Sequence, residues 1–179
     1  LNKFNNNKIY DKINLIMSEI VILYILSRYD ATIYKISKIM EEMFFAFLKP
    51  SLGTINPAVK RLIKLGCIET EDKMSQGGMA SKMCSITPVG RKHLKNLLLS
   101  LEFNHPAHIL NNARIALFCA DVLDDNEKAQ LVKNIQNHLI LFKERTQEAL
   151  NNPYLTLSDE QKKISLSKVD EAEKILEML

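Results

Sequence analysis

The sequence predicts a mainly α-helical protein of the α+β class, in which one β-hairpin interrupts a series of helices. Three observations support this prediction. Apolar residues recur at helical spacing through most of the chain, a short stretch near the middle alternates instead, and long amphipathic repeats follow residue 103. With 179 residues, 46% of them hydrophobic, the chain is long enough to bury a substantial core.

Composition argues against a membrane or secreted protein. The longest apolar run, residues 20–26, is far shorter than the roughly 20 residues that a bilayer-spanning helix needs. No basic, apolar and small-residue segments follow one another as in a secretory signal, so we expect a cytoplasmic protein without a membrane partner. Leu1 stands where an initiator Met is expected, which leaves the true N-terminus open.

The three cysteines, Cys67, Cys84 and Cys119, are odd in number and are never separated by only two residues. This pattern argues against a disulfide framework or a zinc site. We expect reduced thiols in the core.

Charge divides the chain into two parts. Residues 1–102 carry 15 Lys and Arg against 9 Asp and Glu, whereas residues 103–179 carry 9 against 12. The asymmetry predicts a first domain at 1–102 that meets an anionic partner and a second domain at 103–179 with another role. Simple scatter of charges is the alternative.

Three helices are predicted before residue 66. The first is a mostly buried helix of about four turns whose apolar positions start at Ile13. Asp30 is the expected N-cap of the second, which ends near Phe44. Ser51 is the expected cap of the third, and Gly66 is its stop. The apolar stripe of the third helix consists of Ile55, Val59, Leu62 and Leu65.

The period then changes from helical to alternating. Residues 67–71 and 82–86 are predicted strands, and the loop between them contains Gly77 and Gly78, which favour a hairpin turn. Thr87 before Pro88 is typical of a helix start and opens a fourth helix. Three helices, a hairpin and a helix are the order of a winged helix-turn-helix domain, whose recognition helix enters the major groove of DNA.

The second half is predicted to be helical throughout. Asp124 or Asp125 is the expected cap of its long middle helix, and Ser158 with Gln161 has the form of a capping box. The three predicted helices span residues 107–119, 126–150 and 158–179. Long amphipathic helices need a partner to cover their apolar stripes, so we predict a helical dimerisation arm; packing onto the same chain is the alternative. The predicted dimerisation residues are Leu131, Ile135, Leu139, Phe142, Leu166, Val169, Ala172, Leu176 and Leu179.

Several motifs resemble the PadR family of bacterial transcriptional regulators. They are PSLGTINPAVKRLIK at residues 50–64, the two-glycine turn, and ITPVGRKHL from Ile86. The resemblance runs from near Ile20 to Leu101, and the helical tail is similar to that family's C-terminal dimerisation region. It implies a dimeric DNA-binding protein, often a repressor, that in some members releases DNA on binding a small hydrophobic or phenolic effector. Asn56 departs from the family's usual tyrosine, and residues 79–81 replace a segment commonly rich in arginine and proline.

Cations supply most DNA affinity, while side chains that reach base edges supply specificity. Ser51, Thr54 and Asn56 lie at the start of the predicted recognition helix, where a hydroxyl or amide can contact a base or phosphate. The resemblance adds Tyr34 in the second helix. The predicted phosphate-facing cations are Lys49, Lys60, Arg61 and Lys64. For these lysines the alternative is a solvated helix face, and Ser51 has the alternative role of a helix cap.

The predicted hairpin offers a second DNA-contacting surface, the wing. Its candidate contacts are Lys73, Ser75, Gln76 and Lys82, with an ordinary solvated hairpin as the alternative.

No motif predicts an enzyme, a cofactor or a metal site. There is no serine elbow, no HExxH and no phosphate-binding loop, and His105 and His108 have no evident third ligand. The candidate effector pocket near the domain junction consists of Phe103, His105, His108 and Phe118, with simple aromatic packing as the alternative. We therefore predict a homodimeric, sequence-specific regulator of transcription on a pseudo-palindromic operator. The competing hypothesis is a winged-helix protein-interaction module.

Overall fold

The computed structural model describes residues 3–48, 51–74 and 80–179, with the side chains of 15–48, 51–73 and 81–179. Lys49, Ser75 and Gln76 lie outside the described residues. The chain divides into two compact units, Leu1–Leu101 and Glu102–Leu179.

In its described residues, the first unit combines four helices with a small antiparallel sheet, as the α+β prediction required. The sheet order is β1-β3-β2, with Ala31 opposite Cys84 and with Ile68 and Ile86 at one end of the hairpin. The elements are α1 (Lys3–Arg28), β1 (Ala31–Thr32), α2 (Ile33–Phe44), α3 (Leu52–Lys64), β2 (Ile68–Met74), β3 (Ala80–Ile86) and α4 (Pro88–Leu99). This order defines a winged-helix domain, with α3 in the recognition position and the β2–β3 hairpin as the wing.

Most predicted helix boundaries in this unit are confirmed, because they depend on local capping. The Oγ of Ser51 accepts a hydrogen bond from the Thr54 amide, and the Oγ1 of Thr87 accepts one from the Gly90 amide. The helix α2 ends at Phe44, as expected. The first helix is longer than predicted, since it begins at Lys3, and both wing strands are also longer.

The start of α2 differs from the prediction. Thr32, not Asp30, is the N-cap, and its Oγ1 accepts a hydrogen bond from the Lys35 amide at 3.3 Å. Residues Ala31–Thr32 form the short strand β1, which pairs with β3. Two residues are too few to show alternation, and their pairing depends on a segment about 50 positions away, so the sequence pattern did not reveal this strand.

The end of α3 depends on Gly66, which adopts a positive φ of 69°. The Gly66 amide donates to the Ile63 carbonyl and the Cys67 amide to the Leu62 carbonyl, both at 2.9 Å, which is the Schellman pattern of a helix stop. Leu65, predicted to lie in the apolar stripe, is the C-cap and is 50% exposed. The stripe therefore ends at Leu62.

The core of the first unit lies around the second half of α1. Residues 20–26 of α1 are all nearly inaccessible, and Ile36, Met40 and Phe44 of α2 are buried with them. Cys67 and Cys84 are buried and form no disulfide, and the same holds for Cys119 in the second unit, in agreement with the expected core thiols.

The second unit is a three-helix bundle in which α6 packs against α7 and α5 contacts both. The capping box predicted for Ser158 and Gln161 is present, and Asp124, one of the two predicted caps of the middle helix, forms a second capping box with Glu127. The elements are α5 (Ile109–Phe118), a short 3-10 helix (Ala120–Val122), α6 (Asp125–Leu150) and α7 (Asp159–Leu176). An ion pair between Lys143 and Glu173, with N–O 2.6 Å, joins α6 to α7.

This bundle changes the interpretation of the predicted dimerisation residues. Five of the nine are buried within their own chain, each at most 3% exposed: Leu131, Ile135, Leu139, Val169 and Ala172. Their apolar stripes are the contact between the helices of the bundle, which was the alternative considered from the sequence. The four that retain exposure are Phe142, Leu166, Leu176 and Leu179.

Candidate nucleic-acid interface

One face of α3 is anchored in the core and the opposite face is exposed. Ile55, Ala58, Val59 and Leu62 are buried, each at most 1% exposed. Since side chains three and four positions apart share a helix face, this anchoring turns the other face to solvent. The exposed positions of that face are Gly53, Pro57, Lys60, Ile63 and Lys64, and Asn56 is half-buried beside them. Two lysines and an amide therefore share one accessible surface, and α3 contains no acidic residue.

The N-terminus of α3 is closed by its own hydroxyl groups. Ser51 is the helix cap, and its Oγ also lies 2.9 Å from the Oγ1 of Thr54. Both hydroxyls thus have intrachain partners, so the capping role proposed as the alternative for Ser51 is present in the structure. Neither partnership buries Ser51, which remains exposed.

Arg61 does not share the exposed face with Lys60. Its Nε donates to the Oε1 of Glu19 at 2.6 Å, and its Nη2 lies beside the same oxygen. The Glu19 side chain is 5% exposed and that of Arg61 is 38% exposed. Burial raises the pKa of the Glu19 carboxyl above its ordinary value of 4.5, although Arg61 and the charge of His93 oppose this shift. The guanidinium expected to be a free phosphate-binding cation is instead engaged within the chain.

Tyr34 is displayed on the first turn of α2, where its side chain is 75% exposed. An exposed tyrosine on the helix that precedes the recognition helix can contact a phosphate or a groove edge through its hydroxyl. The structure thus leaves this candidate accessible.

The wing carries more acid than the sequence interpretation allowed. Lys73 and Lys82 are exposed, but the Nζ of Lys73 lies 3.8 Å from Glu71, and Lys82 is cross-strand partner to Asp72. With Glu69, the described strands hold three carboxylates against two lysines. These strands therefore form no cationic surface, and the acidic run IETEDKM was the signal in the sequence.

The four residues predicted for the effector pocket do not line one common cavity in the second unit. Phe103 is buried, with its ring centroid 5.8 Å from that of His138. The His105 and His108 ring centroids lie 5.0 Å apart, and burial together with the charge of His105 lowers the pKa of His108. Phe118 is 41% exposed.

A half-open cavity of about 440 Å³ lies next to Phe103. Its apolar lining is formed by Phe103, Pro106, Ile109, Leu141, Phe142 and Ala149. Asn104, His138, Arg145 and Thr146 supply its polar groups. Of the four residues predicted for the pocket, only Phe103 lines this cavity. Phe142, assigned from its spacing to dimerisation, is part of the lining.

Within the described part of the chain no group of three or more His, Cys, Asp or Glu could hold a metal ion. None of the helices described there combines the length and apolar character needed to cross a membrane.

The order of the elements and the exposed face of α3 are those of a winged-helix domain. Residues 22–96 match the family model described as "Transcriptional regulator PadR-like family", and this domain belongs to that family. Members of the family are transcriptional regulators rather than enzymes.

Three solved structures are similar to this chain. Bacillus subtilis PadR in complex with operator DNA shares 18% identity at a TM-score of 0.46, covering 90% of this chain and 97% of that one. The same protein in complex with p-coumaric acid shares 20% identity at a TM-score of 0.43, with coverages of 90% and 98%. A PadR-like transcriptional regulator from Bacillus cereus shares 16% identity at 0.39, with coverages of 90% and 92%. The comparison with curated proteins gives no match.

Proposed function

We propose that the protein is a cytoplasmic, sequence-specific DNA-binding regulator that acts as a homodimer and represses transcription from a pseudo-palindromic operator. The observation that carries this proposal is the exposed, acid-free face of α3, where Lys60 and Lys64 lie one turn apart and Asn56 lies one turn before Lys60. The lysines neutralise phosphates while the amide reaches a base edge. A protein-interaction module, the competing function, has no need of such a face.

A salt titration tests DNA binding directly. Each phosphate contact that is lost lowers the slope of log affinity against log salt by about 0.9. We expect Lys60→Met and Lys64→Met each to show this loss on a mixed-sequence DNA duplex. Lys162 of α7 is also exposed, and Lys162→Met is the control that we expect to keep the wild-type slope. A wild type that binds no duplex even at low salt would favour the interaction module.

The homodimer is proposed to use apolar side chains that the bundle leaves uncovered. On α7, Ile164 is 68% exposed and Leu166 is 43% exposed. Two recognition helices in a dimer would contact half-sites about 34–36 Å apart or a multiple of that spacing. Analytical ultracentrifugation of the full chain should show a dimer that Leu166→Asp weakens and that Lys128→Asp, at an exposed position of α6, does not. A wild-type monomer at all accessible concentrations would remove the dimer from the proposal.

The cavity beside Phe103 is the proposed effector site. Aromatic and aliphatic walls suit a small apolar or aromatic molecule, and Arg145 at the lining can pair with a carboxylate. The effector acts through different affinities for the DNA-binding and released states of the dimer. Its proposed class is therefore a small aromatic or hydrophobic acid.

A further inference from the structure

Glu19 of α1 and Arg61 of α3 connect two helices of the first unit across 42 residues of sequence. Both the Nε and the Nη2 of the guanidinium point to one carboxylate oxygen, Oε1. Glu19 is the acidic residue of the described part of the chain that is most completely buried, with a side chain 5% exposed. A buried carboxylate is stable only when a cation or hydrogen-bond donor offsets its loss of hydration. The burial of Glu19 therefore favours its contact with Arg61.

The position of Arg61 on α3 links this pair to the rotation of the helix about its axis. Arg61 immediately precedes the buried Leu62 and immediately follows the exposed Lys60. A guanidinium held at this border between core and solvent resists rotation of α3 in either direction, because rotation would separate two opposite charges in a poorly hydrated place. The apolar packing of Ile55, Val59 and Leu62 turns the same face of α3 inward, and the ion pair adds a directional contact to it.

The same contact changes the charge that α3 offers to DNA. Lys60, Arg61 and Lys64 are its three cations, and the carboxylate of Glu19 offsets the charge of Arg61. The two exposed lysines are left as the cations of the DNA-facing surface.

We propose that Glu19 is a positioning residue, which orients the recognition helix through Arg61 and thereby sets sequence specificity, and that Arg61 makes no phosphate contact. This inference rests on the proposed DNA-binding function. It assigns Arg61 a role different from that of the neighbouring lysines, although the sequence groups all three together.

The test compares Arg61→Met with Lys60→Met on two DNA targets: a mixed-sequence duplex, and an operator selected by the wild type from a random library. For Arg61→Met we expect an unchanged salt slope and unchanged affinity for the mixed duplex, with about a tenfold loss of operator affinity, the equivalent of one misplaced base contact. For Lys60→Met we expect both affinities to fall together and the slope to drop by about 0.9. A purely structural arginine would not change the ratio of the two affinities while the folded protein remains intact.

Arg61→Met leaves Glu19 buried without its cation and is therefore the variant most prone to unfold. The double variant Glu19→Gln with Arg61→Met leaves no unpaired buried charge, so we expect it to fold and to show the same unchanged slope and reduced operator preference. Urea denaturation of the two single variants and the double variant forms a cycle that needs no DNA. We expect the decreases in urea midpoint of the two single variants to add up to more than the decrease in the double variant.

Three results would overturn the inference. A slope that falls in Arg61→Met as it does in Lys60→Met would make Arg61 a phosphate contact. Additive midpoint losses would show that Glu19 and Arg61 do not act together. If the wild type binds no DNA, the role in specificity fails together with the proposed function, whereas the denaturation cycle still shows whether the pair anchors α3.

Discussion

Gly90, on the first turn of α4, lies directly against the carbonyl oxygen of Cys67. A Cβ at this glycine would stand 2.1 Å from that oxygen and 2.8 Å from the Cγ1 of Ile86. The amide of Thr87 also donates to the Cys67 carbonyl at 3.0 Å. The backbone just after the recognition helix and the first turn of α4 are therefore in direct contact, and only glycine fits at position 90.

Gly90→Ala is expected to destabilise the protein by about 2–3 kcal/mol, because backbone rather than a flexible side chain occupies the space of the new methyl group. Gly53→Ala is the control: its Cβ would meet only the Ser51 Oγ at 3.7 Å, and we expect a gain of about 0.5–1 kcal/mol. Urea denaturation followed by circular dichroism measures both. Equal effects at the two glycines would contradict the close contact between Gly90 and the Cys67 backbone.

Thr87→Val is expected to cost about 1–2 kcal/mol, since the hydroxyl serves two backbone groups at once. It accepts from the Gly90 amide at 3.0 Å and donates to the Gly66 carbonyl at 2.6 Å. Ser100→Ala, at the other end of α4, removes only an exposed hydrogen bond to the Asn96 carbonyl and should change stability by less. Thermal unfolding of both variants provides the measurement, and a smaller loss in Thr87→Val than in Ser100→Ala would disprove the dual role.

The raised pKa of Glu19 predicts how stability depends on pH. Its folded form binds a proton more tightly than the unfolded chain does, so its contribution is complete below the ordinary value of 4.5 and is lost as pH rises through the folded pKa. We expect the free energy of unfolding of the wild type, minus that of Glu19→Gln, to decrease as the pH rises from 4.5 through the folded pKa of Glu19. The comparison with Glu19→Gln isolates this carboxyl from its neighbours Arg61, His93 and Cys67. A difference that is constant from about pH 4 to 8 would show that burial does not shift this group.

Asn56→Ala is expected to relax preference at one base pair by about 1–3 kcal/mol while leaving affinity for mixed-sequence DNA intact. Thr54→Ala should act similarly at a neighbouring base pair if the Thr54 hydroxyl leaves Ser51 and contacts a base in the complex. If the hydroxyl keeps its contact with Ser51, the variant should only destabilise the start of α3. Selection of binding sites from a random library with wild type and variants measures the preference at each position. Unaltered base preferences in Asn56→Ala would place this amide outside the groove.

Phe142→Ala is expected to abolish stabilisation of the protein by small aromatic acids, because its ring lines the cavity beside Phe103. Phe118→Ala is the control, since Phe118 does not line this cavity. A thermal-shift screen with aromatic acids, followed by operator binding in the presence of any hit, provides the test. If Phe118→Ala removes the shift and Phe142→Ala does not, the pocket predicted from sequence is the better assignment.

Local signals in the sequence were sufficient for the helices, the hairpin and most caps. A cap hydrogen bond joins residues three apart, as between Ser51 and Thr54, and the glycine stop at Gly66 needs only its own φ. These features depend on a few neighbouring residues, so composition and spacing determine them. The winged-helix order followed from the change of period at residue 67.

Long-range contacts decided what the spacing left open. Because β1 pairs with β3, α2 begins later than predicted and Thr32 is its cap. Arg61 binds the buried Glu19 and is therefore not one of the free cations on the exposed face of α3. Packing of α6 against α7 covered Leu139, which spacing alone had assigned to a partner chain. An amphipathic stripe specifies that a face will be buried but not by what, and a charge on a helix does not reveal a partner 42 residues away. Only the tertiary structure selects those partners, because it alone determines which desolvated groups meet.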